Sequence, residues 1–153
     1  MSARCHKPAV CRPGSSRSEA AAARPYPPRV RKQYHFRPSD RGLLAWDIDR
    51  LIFLTEGQPV EDVPLDAIAE VHENWWFAFG SVPTVRRVVD HFRRIDEVDL
   101  AYPIIIDPDG RLMDGMHRVA KALGLGLTAI SAKRLAVMPD PDFIGVAPAD
   151  LPQ

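Results

Sequence analysis

Apolar residues recur at helical spacing over two stretches of the chain. Val82, Val85, Val88, Val89, Phe92 and Ile95 fall three or four apart, with Arg86, Arg87, Arg93, Arg94, Asp96 and Glu97 between them. That rhythm predicts an amphipathic helix over about 82–98. Ser81 would cap it, with Pro83 tolerated in the first turn. Met116, Val119, Ala120 and Leu123 give a second stripe that Gly124 can stop. The mostly apolar run Leu43–Leu54 reads as a short packed helix ending near Glu56-Gly57. Elsewhere the pattern is that of strands. Val63–Ile68 alternates, with Pro64 pointing to an edge or a strand start. Tyr102–Ile106 is short, apolar and β-branched, as a buried strand would be. Arg111–Met113 returns across the Asp107-Pro108-Asp109-Gly110 turn, and Leu127–Leu135 supplies a last strand. Together these elements predict a small single domain of the α+β class over residues 42–138.

The ends lack that periodicity. Residues 1–41 hold ten basic and two acidic residues, a net +8, and six of the fifteen prolines. They read as a basic disordered tail; a transit peptide or a nucleic-acid-binding arm has the same composition. No continuous apolar segment makes the tail a secretory signal. Residues 139–153 read as a Pro-rich C-terminal tail. Cys5, His6 and Cys11 fall short of the four ligands of a closed zinc site, and two cysteines make no disulfide framework, so a cytoplasmic setting is expected. With 46% hydrophobic and 26% charged residues the 153-residue chain is not disordered throughout, and no apolar run is long enough for a membrane span. Residues 42–153 carry ten basic and eighteen acidic residues, a net −8. A DNA-binding face needs the opposite sign, so DNA is expected only through the tail.

Candidate chemistry gathers at Asp114-Gly115-Met116-His117-Arg118, where a hairpin strand meets a helix. Asp114 fits the N-cap, and Gly115 allows close approach of a ligand to the backbone. The unpaired amides of a helix start form an anion site. Arg118 and Lys121 should project away from the buried stripe. A cation there is opposed by the helix dipole unless an anion, either a bound phosphate or Asp114, answers it.

Tyr102–Asp107, the Asp114–Arg118 box, the strand before it and the helix over 84–98 together resemble the ParB/sulfiredoxin superfamily. The resemblance covers about residues 60–136 and implies a short mixed sheet with packed helices that holds nucleotide phosphates on Gly115, Met116, His117 and Arg118. Sulfiredoxins carry a reactive cysteine where Met116 stands, so sulfinic-acid reduction by that route is excluded. Partition proteins of the ParB type carry a different box and a DNA-binding domain downstream, for which too few residues follow here.

The Asp-Gly-x-His-Arg box looks most like that of the free serine kinase branch, which also uses a glutamate in a His-Glu pair as base. His72-Glu73 stands at the corresponding place. The resemblance then implies Glu73 as general base, Asp114 positioning Mg²⁺ or a small hydroxyl-bearing acceptor, and a nucleoside di- or triphosphate (ATP, ADP or CTP) as ligand. Glu73 as a surface carboxylate is the alternative. Trp75, Trp76, Phe77 and Phe79 read as core, as a dimer contact that would make the protein a homodimer, or as the wall of a ligand pocket. His91, beside the apolar stripe, reads as a packing or boundary residue, and His35 lies in the tail. Two functions remain: a nucleotide-dependent phosphotransferase, or a non-catalytic regulatory or partition-type module that switches on nucleotide.

Overall fold

The computed structural model describes residues 32–78 and 80–153. Cys5, His6, Cys11, Phe79 and most of the basic N-terminal segment lie outside them. Three helices and two small sheets make a small α+β domain. Its centre is β4 (Ile104–Ile106), three isoleucines buried on both faces. Side chains alternate across a strand. Ile104 and Ile106 therefore enter one core with Leu112, Met116, Val119 and Ile130, while Ile105 enters another with Trp46, Leu51, Met113 and Leu135. β4 pairs antiparallel with β5 (Leu112–Asp114) and parallel with β6 (Ala129–Arg134), and β6 pairs antiparallel with β3 (Val60–Pro64).

The second sheet corrects both ends of the expected domain. Residues 34–41 are not a structureless tail: β1 (Tyr34–Ser39) pairs with β2 (Gly42–Asp47) in a tight hairpin. The helix expected over Leu43–Leu54 is β2 followed by α1 (Ile48–Leu54), whose cap Asp47 accepts the Asp49 N–H at 2.9 Å. Nor do residues 139–153 hang loose. β7 (Phe143–Ile144) is the third strand of this sheet, the Trp46 indole donates to Pro139 O at 2.8 Å, and Leu151 is buried. The expected Val63–Ile68 strand is displaced: β3 ends at Pro64, and short 3₁₀ turns occupy Leu65–Ala67 and Ala69–His72.

Helix α2 (Val85–Glu97) starts from Thr84 rather than Ser81, whose hydroxyl instead accepts from Arg87 Nη1. Its apolar stripe is not a core face. Val85 is 81% exposed and Phe92 64%, while Val88, His91 and Ile95 are only half-buried. Helix α3 (Met116–Gly124) packs on α2 and against β4 and β6. Among the described residues no helix is long and apolar enough to cross a membrane.

One ion pair ties the two sheets together. Arg37 of β1 donates from Nη1 to Asp107 Oδ2 at 2.8 Å, and only 3% of the Asp107 side chain is exposed. Taking one partner from a buried pair leaves a charge with no compensation. Arg37→Met should keep much of the packing volume yet cost about 3 kcal/mol. Chemical denaturation compared with the wild type measures this directly.

Candidate functional site

The turn after β4 builds the site. Asp107 Oδ1 accepts the amides of Asp109 at 3.0 Å and Arg111 at 2.8 Å, and Gly110 takes the positive φ of 88° the turn requires. That fixes Arg111 immediately before β5. Its guanidinium forks: Nε donates to Glu70 Oε1 at 2.9 Å, and Nη2 donates to Glu73 Oε1 at 3.0 Å. Glu73 is half exposed, whereas only 1% of the Glu70 side chain is. The hydrogen bond to Glu70 holds the Arg111 pKa up, further above its usual range.

β5 then delivers Asp114, and the backbone turns sharply at Gly115. Its φ of 109° is a left-handed conformation, and a Cβ there would meet Ile104 Cγ2 at 2.7 Å and Arg118 Nη2 at 2.9 Å. Gly115, not Asp114, is the N-cap of α3, and its carbonyl accepts the amides of Arg118 and Val119. The amides of Met116 and His117 donate to no acceptor among the described residues. Asp114 turns instead to Arg118, whose Nη2 donates to Asp114 Oδ2 at 2.7 Å. Arg118 is therefore not projected outward as its place off the stripe implied; 9% of its side chain is exposed. An arginine in the first turn of a helix stands against the dipole. A carboxylate four residues earlier answers that charge and allows the burial.

His117 is set by a residue the sequence left as packing. Its Nε2 lies 2.9 Å from His91 Nδ1, and the ring centroids are 5.2 Å apart at 16°. That separation is the hydrogen bond plus the two ring radii, so the imidazoles lie edge to edge nearly in one plane. Trp76 covers both, at 4.6 Å from His91 and 5.2 Å from His117. One ring must donate and the other accept, so the two imidazoles cannot both be protonated while this contact holds. Burial, then the charges of His91 and Arg94, pushes the His117 pKa down to about 4. Burial and Arg94 lower that of His91.

Arg37, Glu70, Glu73, Trp76, His117 and Arg118 all border one open cleft of about 1480 Å³, on which Asp114, Gly115 and Met116 also open. The cleft therefore brings together every residue of the box and Glu73 of the His-Glu pair, whereas His72 does not line it. No family model, curated protein or solved structure matches the chain. The chemistry of the cleft rests on its own residues.

Those residues bear on the implied Mg²⁺. Asp114 and Glu73 each face an arginine, and no cluster of three His, Cys, Asp or Glu able to hold a metal occurs among the described residues. They do not make a protein cage. They fit Mg²⁺ only as an ion brought in with phosphate, which supplies most of its oxygen ligands. Sequence reasoning missed Glu70, Arg111, His91, Arg37 and Asp107. His91 had a usable signal, since it shares a helix face with Val88 and Ile95. Glu70, flanked by Ala69 and Val71, had only an acid set among apolar neighbours.

Two measurements check this geometry. Gly115→Ala should cost at least about 1–3 kcal/mol of backbone strain, with the clash on Ile104 added, and appear as a lowered melting temperature. The second concerns His35, whose Nε2 accepts from Arg37 Nε at 3.1 Å and which is therefore neutral, protonated on Nδ1. Burial, then the charge of Arg37, pushes its pKa from 6.5 down to about 3. The unfolded chain takes up a proton that the folded one refuses. Stability is thus full above pH 6.5 and falls as the pH drops towards about 3. By about pH 5 the loss should be about 2 kcal/mol, with His117 acting in the same direction. Denaturant melts across this range should show a flatter profile for His35→Asn.

Proposed function

We propose that this chain is a ParB/sulfiredoxin-like module that binds the phosphates of a nucleoside di- or triphosphate at the start of α3. The observation that carries this is the pair of amides of Met116 and His117, which have no acceptor among the described residues and follow a glycine that no other residue can replace without a clash. The cations beside them support it. Arg118 is pre-positioned by Asp114, and Arg37 and Arg111 line the same cleft. Phosphate would compete with Asp114 for Arg118, and the released carboxylate would then be available to Mg²⁺ or to an acceptor hydroxyl.

Melting the full chain with ATP, ADP, CTP and GTP, with and without Mg²⁺, tests the proposal. A ligand at 100 times its Kd should add about 2.7 kcal/mol. Arg118→Gln keeps a hydrogen-bonding group for Asp114 and removes the charge. It should weaken nucleotide binding by about 1.5–3 kcal/mol while the fold persists. Absence of stabilisation by every nucleotide and by pyrophosphate would overturn it.

A second reading, a non-catalytic nucleotide switch, is favoured by the ion pairs themselves. Both carboxylates assigned to catalysis, Glu73 and Asp114, are engaged by arginines, and a ligand that breaks such pairs changes the local structure without any chemistry. Glu73→Gln separates the two. A general base should lose about 100- to 10,000-fold in turnover at unchanged nucleotide affinity; a switch has no turnover to lose.

A further inference from the structure

Helix α2 exposes three apolar side chains, Val85, Val89 and Phe92. Their spacing of four and then three residues sets them on one line along the helix, which Asp96 continues. α3 packs on the neighbouring edge of Val88, His91 and Ile95 and leaves this line exposed. At about 100° per residue, Arg86, Asp90, Arg93 and Glu97 fall together beside the line, on the side away from α3. They alternate in sign, and each has an opposite charge three or four residues away. Such neighbours can pair along a helix, yet none of the four makes an ion pair with another described residue.

A row of alternating sign complements itself only when it is reversed. A second α2 lying antiparallel sets Arg86 against the partner's Glu97 and Asp90 against the partner's Arg93, and the two-fold axis makes each pair twice. The same reversal brings Val89 over the partner's Phe92, so the apolar lines meet where the charges match. A parallel copy in register sets like against like. An anionic partner such as nucleic acid would meet Asp90, Asp96 and Glu97 among the arginines of this face.

We propose that α2 is a homodimer contact, in which the Val85–Val89–Phe92 line packs on the same line of a second, antiparallel copy with the flanking charges paired. Of these residues only Glu97 borders the phosphate cleft, and none belongs to the start of α3, so the two readings stand or fall separately.

Sedimentation equilibrium on the full chain without nucleotide tests it, run up to about 1 mM because so short a stripe makes a weak contact. The wild type should pass from monomer to dimer across that range. Phe92→Ser should stay monomeric throughout, with the melting temperature of the dilute protein unchanged, since the ring is exposed in the single chain. Asp90→Arg and Arg93→Asp should each weaken the dimer by about 2- to 30-fold, the value of two exposed ion pairs lost at once. The two together should restore it, which no role inside one chain predicts. If Phe92→Ser fails to fold, this exchange decides alone. A wild type that stays monomeric overturns the proposal, and a melting temperature lowered by Phe92→Ser would then show the stripe covered from within its own chain. A dimer that ignores Phe92→Ser has its contact elsewhere, and one that the paired exchange fails to restore is not antiparallel; either result overturns the proposal too.

Discussion

The buried carboxylate of Asp107 is the constraint on which the rest of the structure hangs. One oxygen organises its own turn by accepting two backbone amides, and the other accepts Arg37 from the opposite sheet. Without the turn, Arg111 would not enter β5 from where it can fork onto Glu70 and Glu73. Without Arg37, His35 would lose the donor to its Nε2, and with it the packing against Trp46 and Trp75. The same Arg37 reaches Met113 Sδ at 3.0 Å, so a single guanidinium spans the strand that leads into Asp114. Desolvating these charges is costly. What offsets it is that both Asp107 oxygens are bonded, as P-rich turn chemistry at Pro108 and Gly110 makes easy.

The central strand and α3 were legible because each signal there is local. Three isoleucines followed by Asp-Pro-Asp-Gly specify a buried strand and its turn, and the Met116–Leu123 stripe specifies the helix. The ends were not legible: at the C-terminus the pairing of β7 with β2 is long-range, and at the N-terminus the β1–β2 hairpin continues a basic, Pro-rich segment. β7 contributes two residues, too few for any period, and β1 alternates Tyr34, Phe36 and Pro38 with His35, Arg37 and Ser39 but buries the polar His35 most deeply. The Leu43–Leu54 run had the right polarity but hid a break. Asp47 caps α1, so the apolar residues before it belong to a strand and those after it to a helix.

The α2 stripe shows the limit of periodicity in the other direction. A helical moment states which residues share a face and not whether anything covers that face. Here only the Val88–His91–Ile95 edge turns towards α3, and Val85 and Phe92 stay exposed. That partial cover matters for the site. It puts His91, instead of an aliphatic residue, against His117, and Trp76 stacks over both imidazoles of the pair.

Burial of Arg118 follows from the same economy of charge. Its position in the sequence marked it as outward-facing, since Met116 and Val119 take the core side of α3. Yet the glycine before the helix removes the one Cβ that would stand in its way, with Arg118 Nη2 at 2.9 Å and Nε at 3.0 Å from that point. Gly115 thus does two things with one missing atom. It lets the backbone turn into α3, and it lets the guanidinium fold back onto Asp114. A helix start, its cation and its counter-ion are fixed together before any ligand arrives, which lowers the ordering cost that a bound anion would otherwise meet.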